Sequence, residues 1–388
     1  MRFPLKIAAR ASPLSQAQVR EVFDPLGIPY EGVFVSSYGD LDLKTSLRGL
    51  DKTDFFTREV DELVLSGVCD LSVHSAKDLP ETLPKGLKIA ALTKGVDPSD
   101  SLVLRENETL EQVHLVATSS EQREAAVREI KSDVTFCDIR GPIHERLAKL
   151  YRGEVDAIVI AEAALLRLHL NPNRLRLPGT TTPLQGQLAI CSRQKEEFSF
   201  LPDVRPKETL YFGLRCSNPL WHHFPLIETF PLPFKPISGT HYIFTSQIAV
   251  ELYRPYIEDK PIFCVGKATA KALFPFKVKI AAKEQAEGVI ELLEQENLER
   301  AHVVWPRSDL ARDTLSKWLK NKVETTEIPL YTTKPTTLPK TDITPFSSLM
   351  FTSPSTIDAF KTLYGPLPHD KKLITIGQIT ENYLKKSL

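Results

Sequence analysis

The sequence predicts an α/β protein built as two halves, each of two lobes. Three observations predict it. Short apolar strand candidates alternate with helix-period segments along the chain; the alternation restarts after a proline-rich break between Phe198 and Pro236; and the second half echoes itself, F-T-S-Q-I-A-V-E-L-Y at 244–253 against F-T-S-P-S-T-I-D-A-F at 351–360. Alternation of this kind argues for largely parallel sheets with helices on their faces.

The first lobe opens with a strand at Leu5–Ala9, and the Ser12-Pro13 helix start leads an apolar-periodic run to Phe23. A strand follows at Val33–Ser37, then a helix from Phe55 to Ser66 with Phe56, Val60, Leu63 and Val64 at helical spacing, then the strand Leu71-Ser72-Val73. The second lobe repeats the pattern: Leu115–Ala117, a charged helix to Ile130, a strand at Val134–Ile139, a helix at Ile143–Tyr151 and a buried strand at Val155–Ile160. A Pro/Thr-rich break at 177–184 precedes Leu188–Cys191, a strand suited to return to the first lobe. Beyond the proline-rich break, strands at Tyr242–Thr245, Ile262–Val265, Val303–Trp305, Leu349–Thr352 and Leu373–Ile376 alternate with helices. The expected boundaries are 1–98 plus 180–197 and 99–179 for the first two lobes, 198–206 for a linker, and 207–236 plus 340–388 and 237–339 for the last two.

Composition narrows the function. The 388 residues are 42% hydrophobic and 25% charged, enough for two or more domains with ample core. Lysine plus arginine equals aspartate plus glutamate at 49 each, so no global field draws the chain to nucleic acid or an acidic membrane, and any basic site is local. No apolar run approaches the ~18 residues of a membrane span, and Pro4, Lys6 and Arg10 interrupt any signal-like start. The five cysteines are widely spaced without zinc-site spacing, as reduced thiols are. A cytoplasmic location follows, with no metal and no nucleic-acid or membrane partner expected.

The chemistry concentrates in the first half. In C-D-L-S-V-H-S-A-K-D-L-P (69–80) a short strand runs into Lys77 and Asp78, at the kind of strand end where open α/β sheets keep ligands. Asp78 is read either as a functional carboxylate or as a turn residue before Leu79-Pro80. Arg123, Arg128, Arg140, Arg146 and Arg152 fall within thirty residues. Arg140 at a strand tip and Arg146 in the next helix suit carboxylates or phosphates, which a guanidinium fork binds bidentately; Arg128 and Arg152 read as solvated helix surface. Arg10 and Ser12 occupy a strand-to-helix turn, and Thr118, Ser119 and Ser120 a second one.

The strings I-A-A-R-A-S-P-L-S-Q-A-Q, Y-G-D, V-H-S-A-K-D-L-P, A-T-S-S-E-Q-R, I-R-G-P-I-H-E-R-L, V-D-A-I-V-I-A-E-A-A-L-L-R-L and L-Q-G-Q-L-A-I resemble, in order and spacing, the porphobilinogen deaminase (hydroxymethylbilane synthase) family over about the first 195 residues. That resemblance implies a two-lobed, periplasmic-binding-protein-like half that joins four porphobilinogen units into hydroxymethylbilane with release of ammonia. It implies a dipyrromethane cofactor, Asp78 as catalytic carboxylate, and Arg10, Ser12, Lys77, Thr118, Ser119, Ser120, Arg123, Arg140 and Arg146 as holders of cofactor or substrate acid groups. Three departures stand out. Gln122-Arg123 replaces paired arginines; Asp51-Lys52-Thr53-Asp54 replaces a glycine- and lysine-bearing loop, with Arg58 at a usual lysine; and the small C-terminal domain whose Gly-Gly-Cys motif carries the cofactor is missing. Cys69 and Cys137 read as core residues, Cys191 and Cys216 as more exposed; none has the glycine pair of the usual anchor, so a non-covalently held primer is expected.

In the second half F-T-S-Q-I-A-V, C-V-G-K-A-T-A-K-A-L, Y-T-T, F-T-S-P-S-T-I-D-A-F and I-T-I-G-Q-I-T resemble uroporphyrinogen-III synthase over roughly 207–388, with Leu214–Pro219 standing where that family has a longer opening segment. The resemblance implies a cofactor-free cyclisation of hydroxymethylbilane in a cleft lined by Thr245, Ser246, Tyr331, Thr352 and Ser353, whose other reading is helix caps and a packed tyrosine. The expected protein is thus a fusion of two consecutive tetrapyrrole enzymes acting on porphobilinogen and hydroxymethylbilane. The alternatives are a degenerate first half beside an active synthase, and a non-enzymatic two-lobed anion-binding protein.

Overall fold

A computed structural model describes residues 3–42 and 53–388; of the expected replacement loop, Asp51 and Lys52 therefore lie outside the described residues. The chain divides into two units, Met1–Phe224 with Leu338–Phe351 and Pro368–Ile376, and Pro225–Thr337 with Thr352–Leu367 and Gly377–Leu388.

The first unit opens on β1 (Leu5–Arg10), whose Leu5, Ile7, Ala8 and Ala9 are all buried, the near-continuous apolar run of a strand covered on both faces. In α1 (Pro13–Phe23) Ser12 caps the helix by accepting the Ser15 N–H, and Pro13 fits the first turn because its missing donor would be unpaired there. The helix lays Val19, Val22 and Phe23 on β1, and each such burial contributes roughly 1.5–3 kcal/mol. Then follow β2 (Tyr30–Val35), the short α2 (Tyr38–Leu41), α3 (Arg58–Leu65), β3 (Leu71–Ser75) with a 3-10 turn at Ala76–Asp78, and β4 (Leu87–Leu92).

The second lobe comprises β5 (Asp100–Leu104), β6 (Leu115–Ala117), α4 (Glu121–Ile130), β7 (Thr135–Cys137), α5 (Ile143–Tyr151), β8 (Ala157–Ala161), α6 (Glu162–Arg167) and β9 (Arg174–Arg176); β10 (Leu188–Arg193) then joins the first lobe's sheet, of order β2-β1-β3-β10-β4. The second sheet has the order β7-β6-β8-β5-β9. In each sheet two of the four strand pairings are antiparallel, so the largely parallel course expected from the alternation holds for only half of each sheet. Because β10 starts beside the ends of β3 and β4, with Leu188 opposite Ser75 and Ala189 opposite Leu92, it can only run back antiparallel to both. The two lobes brace each other through Arg167, which donates to Glu21 (2.6 Å) and to the Gly186 carbonyl (2.8 Å).

Residues 198–205 are docked. Phe198 and Leu201 enter the first lobe's core, Val204 N–H donates to Leu92 O (2.9 Å), Asp203 accepts the Leu92 N–H (3.1 Å), and Arg205 donates to the Ile89 and Ala90 carbonyls (2.9 and 3.2 Å). Within the same unit, β11 (Thr209–Tyr211) and β12 (His222–His223) join two later strands in a parallel sheet.

The second unit holds β13 (Ile227–Pro231), β14 (His241–Phe244), α7 (Gln247–Tyr253), β15 (Ile262–Cys264), α8 (Lys267–Leu273), β16 (Val278–Ile280), α9 (Ala286–Leu293), β17 (His302–Ser308), α10 (Asp313–Lys320) and β18 (Glu324–Pro335). Its sheet runs β13-β18-β17-β14-β15-β16 and is parallel except for β13. The strand order reverses between β14 and β17, the switch point beside which doubly wound sheets take ligands. The chain then returns to the first unit for β19 (Ser348–Phe351), crosses the second as α11 (Pro354–Tyr364), completes the sheet β12-β11-β19-β20 with β20 (Lys372–Thr375) and ends in α12 (Gln378–Ser387). Among the described residues no helix is long and apolar enough to cross a membrane, and no cluster of His, Cys, Asp or Glu could hold a metal.

Candidate active site

The buried run Leu71–His74 drives β3 through the sheet, so the turn after it delivers Lys77 and Asp78 at the strand tip. Lys77 Nζ donates to Gln185 Oε1 (3.1 Å); Gln185 Nε2 donates to the Pro98 carbonyl (2.7 Å) and to Asp100 Oδ1 (2.9 Å), which also accepts from Arg123 (2.6 Å). Arg146 Nε donates to the Gly141 carbonyl at 2.7 Å. Gly141 sits at φ 97°, where a side chain is strained, and its added Cβ would lie 2.7 Å from Glu145. Arg10 donates to Asp40 (Nε to Oδ2, 3.0 Å) and lies over Phe56, 4.8 Å from the ring centre. Arg140 reaches the first lobe, donating to the Gly39 and Asp42 carbonyls (2.9 and 3.0 Å) and lying 5.6 Å from the Phe55 ring centre.

The cations crowd one another. Burial, then the neighbouring Arg123, lowers the Lys77 ammonium to about 8; burial, then Arg123, Arg140 and Arg10, lowers Arg146 to about 10. Asp78 opposes both shifts by its charge, yet among the described residues its carboxylate makes no hydrogen bond or ion pair. Arg123 and Arg10 are paired with Asp100 and Asp40, whereas Lys77 and Arg146 bond only the neutral oxygens of Gln185 and Gly141 among the described residues, which suits the cluster to an acidic ligand. Arg10 and Asp78 line one small pocket with Ser15, Gln18, Phe56, Thr57, Val73, His74 and Ser75.

The other expected residues hold the frame. Ser12 caps α1. Ser119 Oγ donates to the Ile139 carbonyl (3.2 Å) and accepts the Ile139 N–H (3.1 Å), Thr118 accepts the Ser120 N–H (3.3 Å), and Ser120 accepts the Arg123 N–H (3.5 Å). This web presents Arg123 and Arg140 from adjacent turns. Arg58 pairs with Asp54 on the surface, and Arg152 with Glu154. Asp100 and Gln185 escaped the residue-level reading; the signals were D-P-S-D before an apolar run and the first glutamine of L-Q-G-Q-L-A-I.

In the second unit Tyr331 donates to Ser246 Oγ (3.0 Å), which also caps α7 by accepting the Ala249 N–H (3.1 Å); Thr245 accepts from Trp305 Nε1 (3.3 Å). Burial raises the Tyr331 phenol above its ordinary value, so it remains a donor at neutral pH. Thr352 N–H donates to Thr356 Oγ1 (3.2 Å), and Ser353 caps α11. All five hydroxyl residues therefore take part in local structure.

A dipyrromethane carries acetate and propionate groups, and Lys77, Arg123, Arg146 and Arg10 match that chemistry. The covalent anchor does not match. Cys191 is fully buried, which corrects its reading as an exposed thiol: β10 is flanked by β3 and β4, Ala76, Leu79, Leu92 and Ala189 cover its face, and burial pushes the thiol well above its usual range. Burial also raises Cys69, Cys216 and Cys264; Cys216 donates to the Asn218 carbonyl (3.3 Å), and Cys137 packs on the second lobe's core.

Comparison with known proteins adds the following. The family model "Porphobilinogen deaminase, dipyromethane cofactor binding domain" matches residues 5–199, and "Uroporphyrinogen-III synthase HemD" matches residues 222–387. A probable porphobilinogen deaminase of Chlamydia pneumoniae is 41% identical over 199 residues, covering 49% of this chain and 84% of that protein. The porphobilinogen deaminase of Roseiflexus castenholzii is 37% identical over 197 residues, covering 48% and 65%. Among solved structures, uroporphyrinogen-III synthetase from Helicobacter pylori superposes with a TM-score of 0.37 at 22% identity, covering 46% of this chain and 88% of that one.

Proposed function

The chain belongs to the porphobilinogen deaminase family over residues 5–199 and carries a uroporphyrinogen-III synthase domain over 222–387, and from that premise we propose that Asp78 is the catalytic carboxylate of its first half. The protein is an enzyme of tetrapyrrole biosynthesis with both activities, polymerising porphobilinogen to hydroxymethylbilane and cyclising that product to uroporphyrinogen III. The observation that carries the Asp78 assignment is its carboxylate, unpaired among the described residues, at a strand tip beside Lys77 and Arg146.

Asp78 accepts the pyrrole N–H and stabilises the positive charge left on the ring when ammonia departs; as an anion already in position it needs no reorganisation at that moment. Lys77, Arg123, Arg146 and Arg10 bind the acetate and propionate groups of primer and substrate. Arg140, which joins the second lobe to Gly39 and Asp42 of the first, keeps the lobes in register and belongs with the acid-binding residues by its proximity to Arg146. Thr118, Ser119 and Ser120 orient the turn that carries Arg123. Dipyrromethane, the family's cofactor, supplies a pyrrole carbon on which the chain grows, and the thiol burial above supports a primer held by charge rather than through sulfur. In the second half, Thr245, Ser246, Tyr331, Thr352 and Ser353 act by positioning the linear substrate. The substrates are small molecules, and the work is placed in the cytoplasm.

The test incubates purified protein with porphobilinogen, follows ammonia release and resolves the uroporphyrin isomers. Uroporphyrin III is expected from the parent and turnover cut roughly 10²- to 10⁴-fold from Asp78→Asn; turnover at the parent's rate in the variant overturns the assignment. Intact mass after production in a porphobilinogen-making host should show no adduct, and a dipyrromethane mapped to any cysteine refutes the charge-held primer.

A further inference from the structure

The chain passes from the first lobe to the second through residues 93–99 and returns, ahead of β10, through 184–187. The two stretches are stitched where they cross. Val96 N–H donates to the Gly186 carbonyl (3.2 Å), Gln187 Nε2 donates to the Thr93 carbonyl (2.9 Å), and a Cβ on Gly186 would stand 3.1 Å from the Val96 and Asp97 carbonyl oxygens. Gln185 sits in this crossing between two residues of left-handed backbone, Leu184 at φ 64° and Gly186 at φ 86°. Leucine seldom adopts that conformation, and strain of this kind persists where the surroundings fix it and clusters at functional sites.

The side chain is buried and both ends of its amide are used. Nε2 donates to the Pro98 carbonyl (2.7 Å), the Ser99 carbonyl (3.3 Å) and Asp100 Oδ1 (2.9 Å), whereas Oε1 accepts from Lys77 Nζ (3.1 Å) and from Arg123 Nη2 (3.5 Å). Oxygens on one side and cations on the other leave the amide a single orientation. Lys77 belongs to the first lobe and Arg123 and Asp100 to the second, so one uncharged side chain touches both lobes' share of the charged cluster.

We infer that Gln185 is the positioning residue of the acid-binding cluster, a neutral acceptor that holds the Lys77 ammonium in place without neutralising it. The inference rests on the reading of Lys77 as a holder of acid groups. An ammonium has three donors, so the bond to Gln185 leaves two for a ligand carboxylate, whose charge-assisted bonds are the stronger. An acceptor bonds the ammonium better than the amine, so Gln185 also favours the charged form. With methionine in its place, burial, Arg123 and Arg146 would act on Lys77 opposed only by Asp78 and Asp100. Glutamate would instead pair with Lys77, compete with the ligand and set a second anion beside Asp100.

The test titrates purified protein with a pyrrole that carries one acetate and one propionate but no aminomethyl group, and so cannot lose ammonia, from about pH 6 to about pH 9.5 in the parent, Gln185→Met and Gln185→Glu. In the parent, affinity should fall through about pH 8. In Gln185→Met that transition should move down by about half a pH unit or more; in Gln185→Glu it should move up by about as much, while affinity at neutral pH weakens about tenfold. Opposite shifts from one position are not what a merely structural residue would give. A transition left in place in both folded variants overturns the role of Gln185 alone, and where Gln185→Met does not fold, a transition unmoved or lowered in Gln185→Glu does the same. A parent with no such transition overturns the reading of Lys77 and the inference with it.

Discussion

The tip of β3 and the tip of β14 are both strand ends followed by a polar turn, and they are furnished oppositely. After β3 come Lys77 and Asp78, with Arg123 and Arg146 near enough to alter the lysine's proton affinity and a carboxylate that pairs with nothing among the described residues. After β14 come Thr245 and Ser246, whose hydroxyls already accept from Trp305, Tyr331 and the first turn of α7. On the roles proposed for these residues, the difference follows the two chemistries. Condensing acidic pyrroles with loss of an amine moves charge, and charge is best met by charged groups already in place. Cyclising a long flexible substrate is chiefly a matter of shape, which backbone and caps can supply.

The comparison breaks most visibly at Asp78. Asp78→Asn keeps the side chain's shape and removes its charge, and should cut porphobilinogen consumption roughly 10²- to 10⁴-fold while cyclisation of supplied hydroxymethylbilane is unchanged; parallel loss of both activities would mean the substitution disturbs the fold. Next comes Arg146→Leu. Loss of one buried charge-assisted pair, roughly 1.5–3 kcal/mol, should weaken binding of carboxylate-bearing pyrroles about ten- to a hundredfold in titrations.

A pH series sharpens the contrast. With its ammonium lowered to about 8, Lys77 is charged below that pH and neutral above it, so affinity for acidic pyrroles should fall as pH rises through about 8. Lys77→Arg should move that loss to higher pH, and the cyclisation step should show no matching transition. The smallest effect belongs to Tyr331→Phe. Removing its bond to Ser246 is worth roughly 0.5–1.5 kcal/mol, about two- to tenfold in cyclisation rate, with ammonia release untouched.

What could be read from the residues follows the same division. The α/β architecture was legible because β1, α1, β3, α5 and β8 each carry the period of their structure, and the charged site because V-H-S-A-K-D-L-P and I-R-G-P-I-H-E-R-L keep their motif whole. The strands β4, β5 and β18 went unread. Leu87–Leu92 and Asp100–Leu104 are short runs among prolines, and Glu324–Pro335 mixes threonine, glutamate and proline so that little beyond Y-T-T stood out. The antiparallel course of β10 depends on where the chain re-enters the sheet, which no local pattern encodes. Asp100 and Gln185 act through each other across 85 positions, and the burial of Cys191 comes from strands on both sides; only tertiary pairing makes either visible.

The docking of residues 198–205 bears on how this protein can be cut. β4 is the last strand of its sheet, and Asp203, Val204 and Arg205 occupy the donors and acceptors along its outer side. A deaminase fragment ending at residue 197 would leave that edge bare, a template for sheet growth between molecules, and would also lose Phe198 and Leu201 from its core. Ending the fragment after Arg205 retains the cover, so the longer piece should stay monomeric at concentrations where the shorter one aggregates.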